Sequence, residues 1–174
     1  VDNQGNLVDG EGRLVTEKVG SVDDLRDEDF TSPSRSVELP ELDVRVADAI
    51  GTGGKPVVIK KNIFERNAKA HGDLTAADSR DILKAALYTP TLYGQNQKTK
   101  RPYNWVLIKT RDAEGENRVV LLEVNENKDN VEIVHWHYVR DNALETIKRQ
   151  AVREDGHLLI LPSEDSEEAG ALSS

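Results

Sequence analysis

The hydrophobic pattern of the chain is densest between Val131 and Tyr138, in the run Val-Glu-Ile-Val-His-Trp-His-Tyr. β-Branched and aromatic residues dominate this run, which predicts a central β-strand. Successive side chains of a strand point to opposite faces, so the two histidines should share one face. The predicted histidine face carries Val131, Ile133, His135 and His137, and the other face carries Glu132, Val134, Trp136 and Tyr138.

Two further apolar stretches precede this strand. Residues 105–110 and 118–124 have the composition of strands, and the short segments at 112–117 and 125–130 contain the Gly, Asn and Asp residues typical of turns. Short turns between strands predict antiparallel hairpins. The three strands should therefore form an antiparallel meander, to which the apolar runs at 57–60 and 157–161 add further strands.

Helical spacing is clearest after Thr75. Thr75 and Asp78 have the spacing of a capping box, apolar residues then recur with the helical period as far as Leu87, and Pro90 ends the pattern. A second capping pair at Asn142 and Glu145 predicts another main helix. Together these elements predict an α+β fold with an antiparallel four- to five-stranded sheet flanked by two main helices.

Composition divides the chain into three segments. Its 174 residues are enough for one domain with a core, but an apolar fraction of 37% is at the low end for a globular protein. We expect an acidic N-terminal arm, as a hairpin or linker, at residues 1–35, a folded domain at 36–162 and a disordered acidic tail at 163–174. The chain begins with Val and contains no Met, which indicates a piece of a longer polypeptide.

Charge is distributed unevenly. The formal charge is −7 for residues 1–45, +2 for 46–162 and −4 for 163–174, within a total of −9. The slightly basic body leaves binding to phosphate groups open. Cysteine is absent, which excludes disulfides and thiolate metal sites, and no apolar run approaches the roughly 20 residues that span a bilayer. We expect a cytoplasmic protein without membrane contact.

The paired histidines are the first candidates for catalysis. Imidazole transfers protons near neutral pH, so His135 and His137 could act as base and acid. Glu123, at the end of an apolar strand, could act as a general base if its carboxylate faces inward. The alternatives are histidines that only donate hydrogen bonds within the sheet, and a solvated strand end at Glu123.

A metal site would need a third ligand beside His135 and His137. The sequence offers Glu123 or His157 for this role. His71, in the turn before the main helix, is instead assigned to an anion site at the helix N-terminus or to the turn itself. We therefore expect no metal ion and no cofactor.

The polar segment between Tyr93 and Trp105 is a candidate nucleic-acid surface. Cationic side chains can hold a phosphate backbone while aromatic rings stack on bases. The alternative is a solvated loop whose aromatic residues belong to the core. The candidate binding residues are Lys98, Lys100, Arg101, Tyr103 and Trp105.

Several stretches of the body carry a family resemblance. They are Leu39-Pro40 and residues 49–51, 57–65, 101–106 and 123–134. These stretches resemble the nuclease-like module of large polyvalent proteins of bacterial phages and conjugative elements, in the barnase, EndoU, colicin E5/D and RelE superfamily. The resemblance covers about residues 36–162.

This resemblance implies a barnase/EndoU/RelE-like fold and metal-independent endoribonuclease activity. In that activity a ribose 2′-hydroxyl attacks the adjacent phosphate and leaves a cyclic phosphate. RNA is then the expected partner, with a protein partner inside a larger multidomain polypeptide. The second hypothesis is a non-catalytic binding or assembly module of a polyvalent protein.

Overall fold

The structure is a computed structural model that describes residues 1–90, 92–96, 104–109, 119–139 and 158–162. The strands within these ranges are β1 (Thr16–Lys18), β2 (Ser36–Leu39), β3 (Val57–Ile59), β4 (Leu92–Asn96), β5 (Asn104–Lys109), β6 (Val119–Glu126), β7 (Val131–Val139) and β8 (Leu158–Pro162). The helices are α1 (Asp27–Thr31), α2 (Val44–Ile50), α3 (Lys61–Ala70) and α4 (Ala76–Tyr88), and a 3-10 turn spans Val22–Asp24.

The strands form one mixed sheet in the order β1-β2-β3-β7-β6-β5-β4-β8. β1 is parallel to β2 and β3 is parallel to β7, whereas the other neighbouring pairs are antiparallel. The predicted meander is confirmed in β5, β6 and β7. The predicted antiparallel four- to five-stranded sheet with two main helices is wrong, because the sheet is mixed and larger and four helices accompany it within the described ranges. The shortest strands have only three or four residues, too few to show a period.

Helices α3 and α4 pack on one face of the sheet. α4 contacts β5, β6 and β7, and α3 contacts β7. The predicted capping box is confirmed, since the Thr75 hydroxyl accepts from the Asp78 N–H and the Asp78 carboxylate accepts from the Thr75 N–H, both at 3.0 Å. At the centre of the core, the rings of Phe30, Phe64 and Trp136 make edge-to-face contacts with centroids 5.5–6.5 Å apart.

Among the described residues, no helix is long and apolar enough to cross a membrane.

The N-terminal segment contributes to this core. Val22, Leu25 and Phe30 are buried and belong to the same cluster as the apolar residues of α4 and the sheet. Arg35 binds the buried carboxylate of Asp29 through Nε and Nη2, each at 2.8 Å. The boundary at residue 35 stays a prediction, but the segment before it packs against the domain.

Strand β7 contains a β-bulge at Val134. Ile133 pairs with Val124, whereas His135 pairs with Glu123. Residues 123 and 124 point to opposite faces, so Ile133 and His135 also lie on opposite faces. The predicted common face of Ile133 and His135 is therefore wrong. Trp136 shares the core face with Ile133, and His135 and His137 remain together on the other face.

Candidate metal centre

Helix α3 lies along β7 beyond the point where β3 ends. The pairing of β3 with β7 covers Val131 and Glu132, and backbone groups farther along that edge need other partners. Asn67 supplies one, because its Oδ1 accepts a 3.0 Å hydrogen bond from the Trp136 N–H. The Trp136 indole in turn donates to the Ser79 hydroxyl of α4 at 3.0 Å. These two bonds fix α3 and α4 against β7.

His71 caps the C-terminus of α3, one helical turn beyond Asn67. Its N–H donates to the Asn67 carbonyl at 2.9 Å, and its carbonyl accepts from the Leu74 N–H at 3.1 Å. The backbone of His71 is thus held on both sides. Helix α3 thereby carries the His71 ring to the histidine pair of β7.

Three of the four histidines of the chain converge at this point. The ring centroids of His71, His135 and His137 are 4.7–4.8 Å apart, and the rings of His71 and His137 are stacked with an interplanar angle of 14°. The Nε2 atoms of His71 and His135 are 3.1 Å apart. One nitrogen from each ring can be chosen so that all three lie within 4.8 Å of one another. All three side chains are partly buried, and we call this group the histidine cluster.

The surroundings of two members of the histidine cluster favour the neutral imidazole. Burial, together with the rings of His137 and His71, lowers the pKa of His135 to about 4. Burial and His137 also lower the pKa of His71, against the opposing effect of Asp73. A neutral imidazole keeps a lone pair on one nitrogen, which is the form that binds metal ions.

The tautomer of His137 also suits metal binding. Its Nδ1 lies 2.9 Å from the carbonyl oxygen of Tyr138. A carbonyl can only accept a hydrogen bond, so Nδ1 carries the proton and Nε2 of the neutral ring has the lone pair. Metal-bound histidines ordinarily donate their other ring N–H in this way, which orients the ring.

Glu123 lies beside the cluster but outside it. It is the direct cross-strand partner of His135, which places their Cβ atoms about 4.5–5.5 Å apart on the same face. Its side chain is partly buried and makes no hydrogen bond or ion pair within the described part of the chain. The three-nitrogen group that can surround an ion consists of histidines alone.

The predicted nucleic-acid residues lie mostly outside the described ranges. Lys98, Lys100, Arg101 and Tyr103 fall there, as does His157. Trp105 is described, and its partly buried side chain packs against the core from β5. Its Nε1 is buried and has no hydrogen-bond partner among the residues that the structure describes. Binding of nucleic acid by these residues stays a prediction.

The sequence did not identify His71 as a member of the site. Its partners His135 and His137 are 64 and 66 residues away, and no local pattern connects a turn after one helix with a distant strand. The amino-acid composition was the available indication that His71 could belong to the site. With no cysteine and only four histidines, any site with three nitrogen ligands had to use His71 or His157 beside the pair in β7.

The fold and the site define a mixed-sheet domain with a histidine cluster at its central strand. Residues 9–151 match the family model described as large polyvalent protein-associated domain 13. This match covers most of the chain, and the chain belongs to that family. No curated protein matches the chain, and no solved structure does. The expected association with large polyvalent proteins is confirmed, but the match does not extend to the nuclease-like superfamily.

Proposed function

We propose that this domain is a metal-binding module of a large polyvalent protein, in which His71, His135 and His137 hold one divalent transition-metal ion. The observation that carries the proposal is the convergence of three imidazole nitrogens within 4.8 Å. Imidazole ligands suit zinc, copper, nickel and iron, and three histidines are a known zinc ligand set. Zn²⁺ is therefore the ion we expect.

The distances support this assignment. Two ligand nitrogens in a tetrahedral zinc site are about 3.3 Å apart, given Zn–N bonds of about 2.0–2.1 Å. The 3.1 Å separation between Nε2 of His71 and Nε2 of His135 is close to that value. The wider distance to the third ring requires a shift on the order of 1 Å for His137. A side-chain rotation can supply a shift of that size.

Zinc titration of the metal-free full chain tests the proposal. Isothermal titration calorimetry should give one zinc site in the wild type. His71→Gln, His135→Gln and His137→Gln should each lower the zinc affinity by at least roughly 100-fold, which is more than the loss caused by substituting a residue that only hydrogen-bonds to a ligand. His157→Gln is the matched control and should bind as the wild type does. Wild-type zinc affinity in the three cluster variants, or loss of zinc binding only in His157→Gln, would refute the assignment.

A second candidate is metal-independent RNA cleavage by His135 and His137. The observation in its favour is the contact of their rings, with centroids 4.7 Å apart. His135 is neutral at pH 7 and would accept the proton of the 2′-hydroxyl, while His137 would donate to the leaving oxygen. Against it, rings in direct contact leave no space between them for a phosphate group.

Incubation with structured RNA in excess EDTA distinguishes the two candidates. Products with a 2′,3′-cyclic phosphate that disappear in His137→Gln would support the RNA-cleaving function. Intact RNA across the pH range in which histidine titrates would exclude it. A zinc-binding domain that leaves RNA intact would agree with the non-catalytic binding or assembly module.

A further inference from the structure

We propose that the metal centre is hydrolytic, with Glu123 as the base that accepts a proton from metal-bound water, and that it acts on phosphodiesters. This inference rests on the proposed metal-binding function. It assigns a reaction, a base and a substrate class to the same site.

The ligand count leaves a position for water. Structural zinc sites are closed by four protein ligands, whereas catalytic sites have three and bind water or substrate in the fourth position. The histidine cluster supplies three nitrogens, and each of its side chains is only partly buried. A metal ion at this site therefore remains accessible to water on one side.

The position of Glu123 suits a base that is not a ligand. The register places it directly opposite His135, on the face that carries both histidines of β7. Its carboxylate has no hydrogen-bond or ion-pair partner within the described residues, in contrast to Glu126 on the same strand, which pairs with Lys55 at 3.5 Å. A non-ligand glutamate beside a zinc ion is a recurrent general base for metal-bound water.

The charge of the centre favours an anionic substrate. Three neutral imidazoles leave the full double charge on the ion, whereas thiolate or carboxylate ligands would reduce it. A phosphodiester, which carries a negative charge, is a substrate of this kind.

The reaction is a balanced hydrolysis. Water bound to an ion held by His71, His135 and His137 would transfer a proton to the Glu123 carboxylate, and its oxygen would form a new bond to phosphorus. The bond from phosphorus to the leaving oxygen would break. The leaving oxygen would then take the proton from Glu123, which would give a phosphomonoester and an alcohol or phenol.

Hydrolysis of bis(p-nitrophenyl) phosphate by the zinc-loaded full chain tests the inference. We expect turnover that excess EDTA abolishes and that zinc restores. Glu123→Gln should lower kcat by about 100-fold or more, the usual loss for a general base, while its zinc affinity stays within about threefold of the wild type. Glu126→Gln is the matched control on the same strand and should retain both turnover and zinc binding.

The outcomes separate this inference from the metal-binding proposal. Zinc binding without hydrolysis would overturn the hydrolytic role alone. Hydrolysis that persists unchanged in Glu123→Gln would overturn the assignment of the base. Absence of zinc binding in the wild type would overturn both proposals.

Discussion

The side chain of Asn67 and the backbone of Trp136 are joined by a buried 3.0 Å hydrogen bond, which attaches helix α3 to strand β7. The bond lies one helical turn before His71 and one residue after His135. It therefore sets the separation of the helix and the strand at the point where the histidine cluster forms. An asparagine in a helix interior here accepts from a strand N–H that lies beyond the part of β7 paired with β3.

Asn67→Ala should lower the free energy of unfolding by about 1–3 kcal/mol, because it leaves the buried Trp136 N–H without an acceptor. It should also weaken zinc binding by about 10–100-fold, as substitutions of residues that position metal ligands do. Ser79→Ala is the control, since it removes the acceptor of the Trp136 indole in α4 and should reduce stability without affecting zinc. Wild-type zinc affinity in Asn67→Ala would contradict the positioning role.

The N-terminal segment should be required for stability. Phe30 is 7% exposed and contacts the rings of Phe64 and Trp136, so Phe30→Ala should cost about 3–5 kcal/mol in a urea unfolding experiment. Leu7, from the same segment but 56% exposed, is the control, and Leu7→Ala should change stability by less than about 0.5 kcal/mol. Deletion of residues 1–35 should abolish cooperative unfolding. A deletion variant that melts cooperatively near the wild-type temperature would show that the core forms without this segment.

Asp29 should make stability depend on acid pH. Burial acts to raise the pKa of Asp29, but hydrogen bonds from the Arg35 side chain and the Arg26 N–H, with the charge of Arg35, hold it below its ordinary value of 3.8. The folded state thus favours the carboxylate, and its contribution is complete above that value. It is lost as the pH falls through the lowered pKa of the folded state.

Asp29→Asn should cost on the order of 3 kcal/mol at pH 7, because Arg35 loses its buried partner. The difference from the wild type should shrink below about pH 4, because the carboxylate of the unfolded wild type takes up protons there and that of the folded state does so at still lower pH. Asp23→Asn removes an exposed partner of Lys84 and should change stability by less than about 1 kcal/mol. A difference between Asp29→Asn and the wild type that is independent of pH would be inconsistent with this explanation.

The sequence predicted the elements that have strong local signals. Strand β7 follows from its β-branched and aromatic residues, and α4 follows from the capping box at Thr75 and the spacing of its apolar residues. The bulge at Val134 depends on the register with β6, which no feature of β7 alone records. The sequence consequently placed the two histidines together correctly, but on the same face as Ile133.

The site was predicted only in part for the same reason. The contact between His135 and His137 follows from their spacing in one strand, whereas the approach of His71 depends on where α3 ends relative to β7. The position of α3 relative to β7 is fixed by the hydrogen bond from the Trp136 N–H to Asn67, a tertiary contact between residues 69 positions apart. Local pattern therefore identified two members of the histidine cluster, and packing supplied the third.

Zinc should stabilise the folded state if the site forms only on folding. At a free zinc concentration 100 times the Kd, the gain is about 2.7 kcal/mol, which corresponds to a rise in Tm of roughly 5–10 °C for a chain of this size. Differential scanning calorimetry with and without EDTA measures the shift. It should vanish in His71→Gln and persist in His157→Gln, and a shift of equal size in both variants would contradict the assignment.

The central claim is that His71, His135 and His137 surround one metal ion, and anomalous diffraction from crystals grown with zinc tests it most directly. Data collected on either side of the zinc absorption edge should give one strong peak, at about 2.0–2.1 Å from one nitrogen of each of the three rings. A strong zinc peak elsewhere in the chain, with no density between these histidines, would contradict the claim.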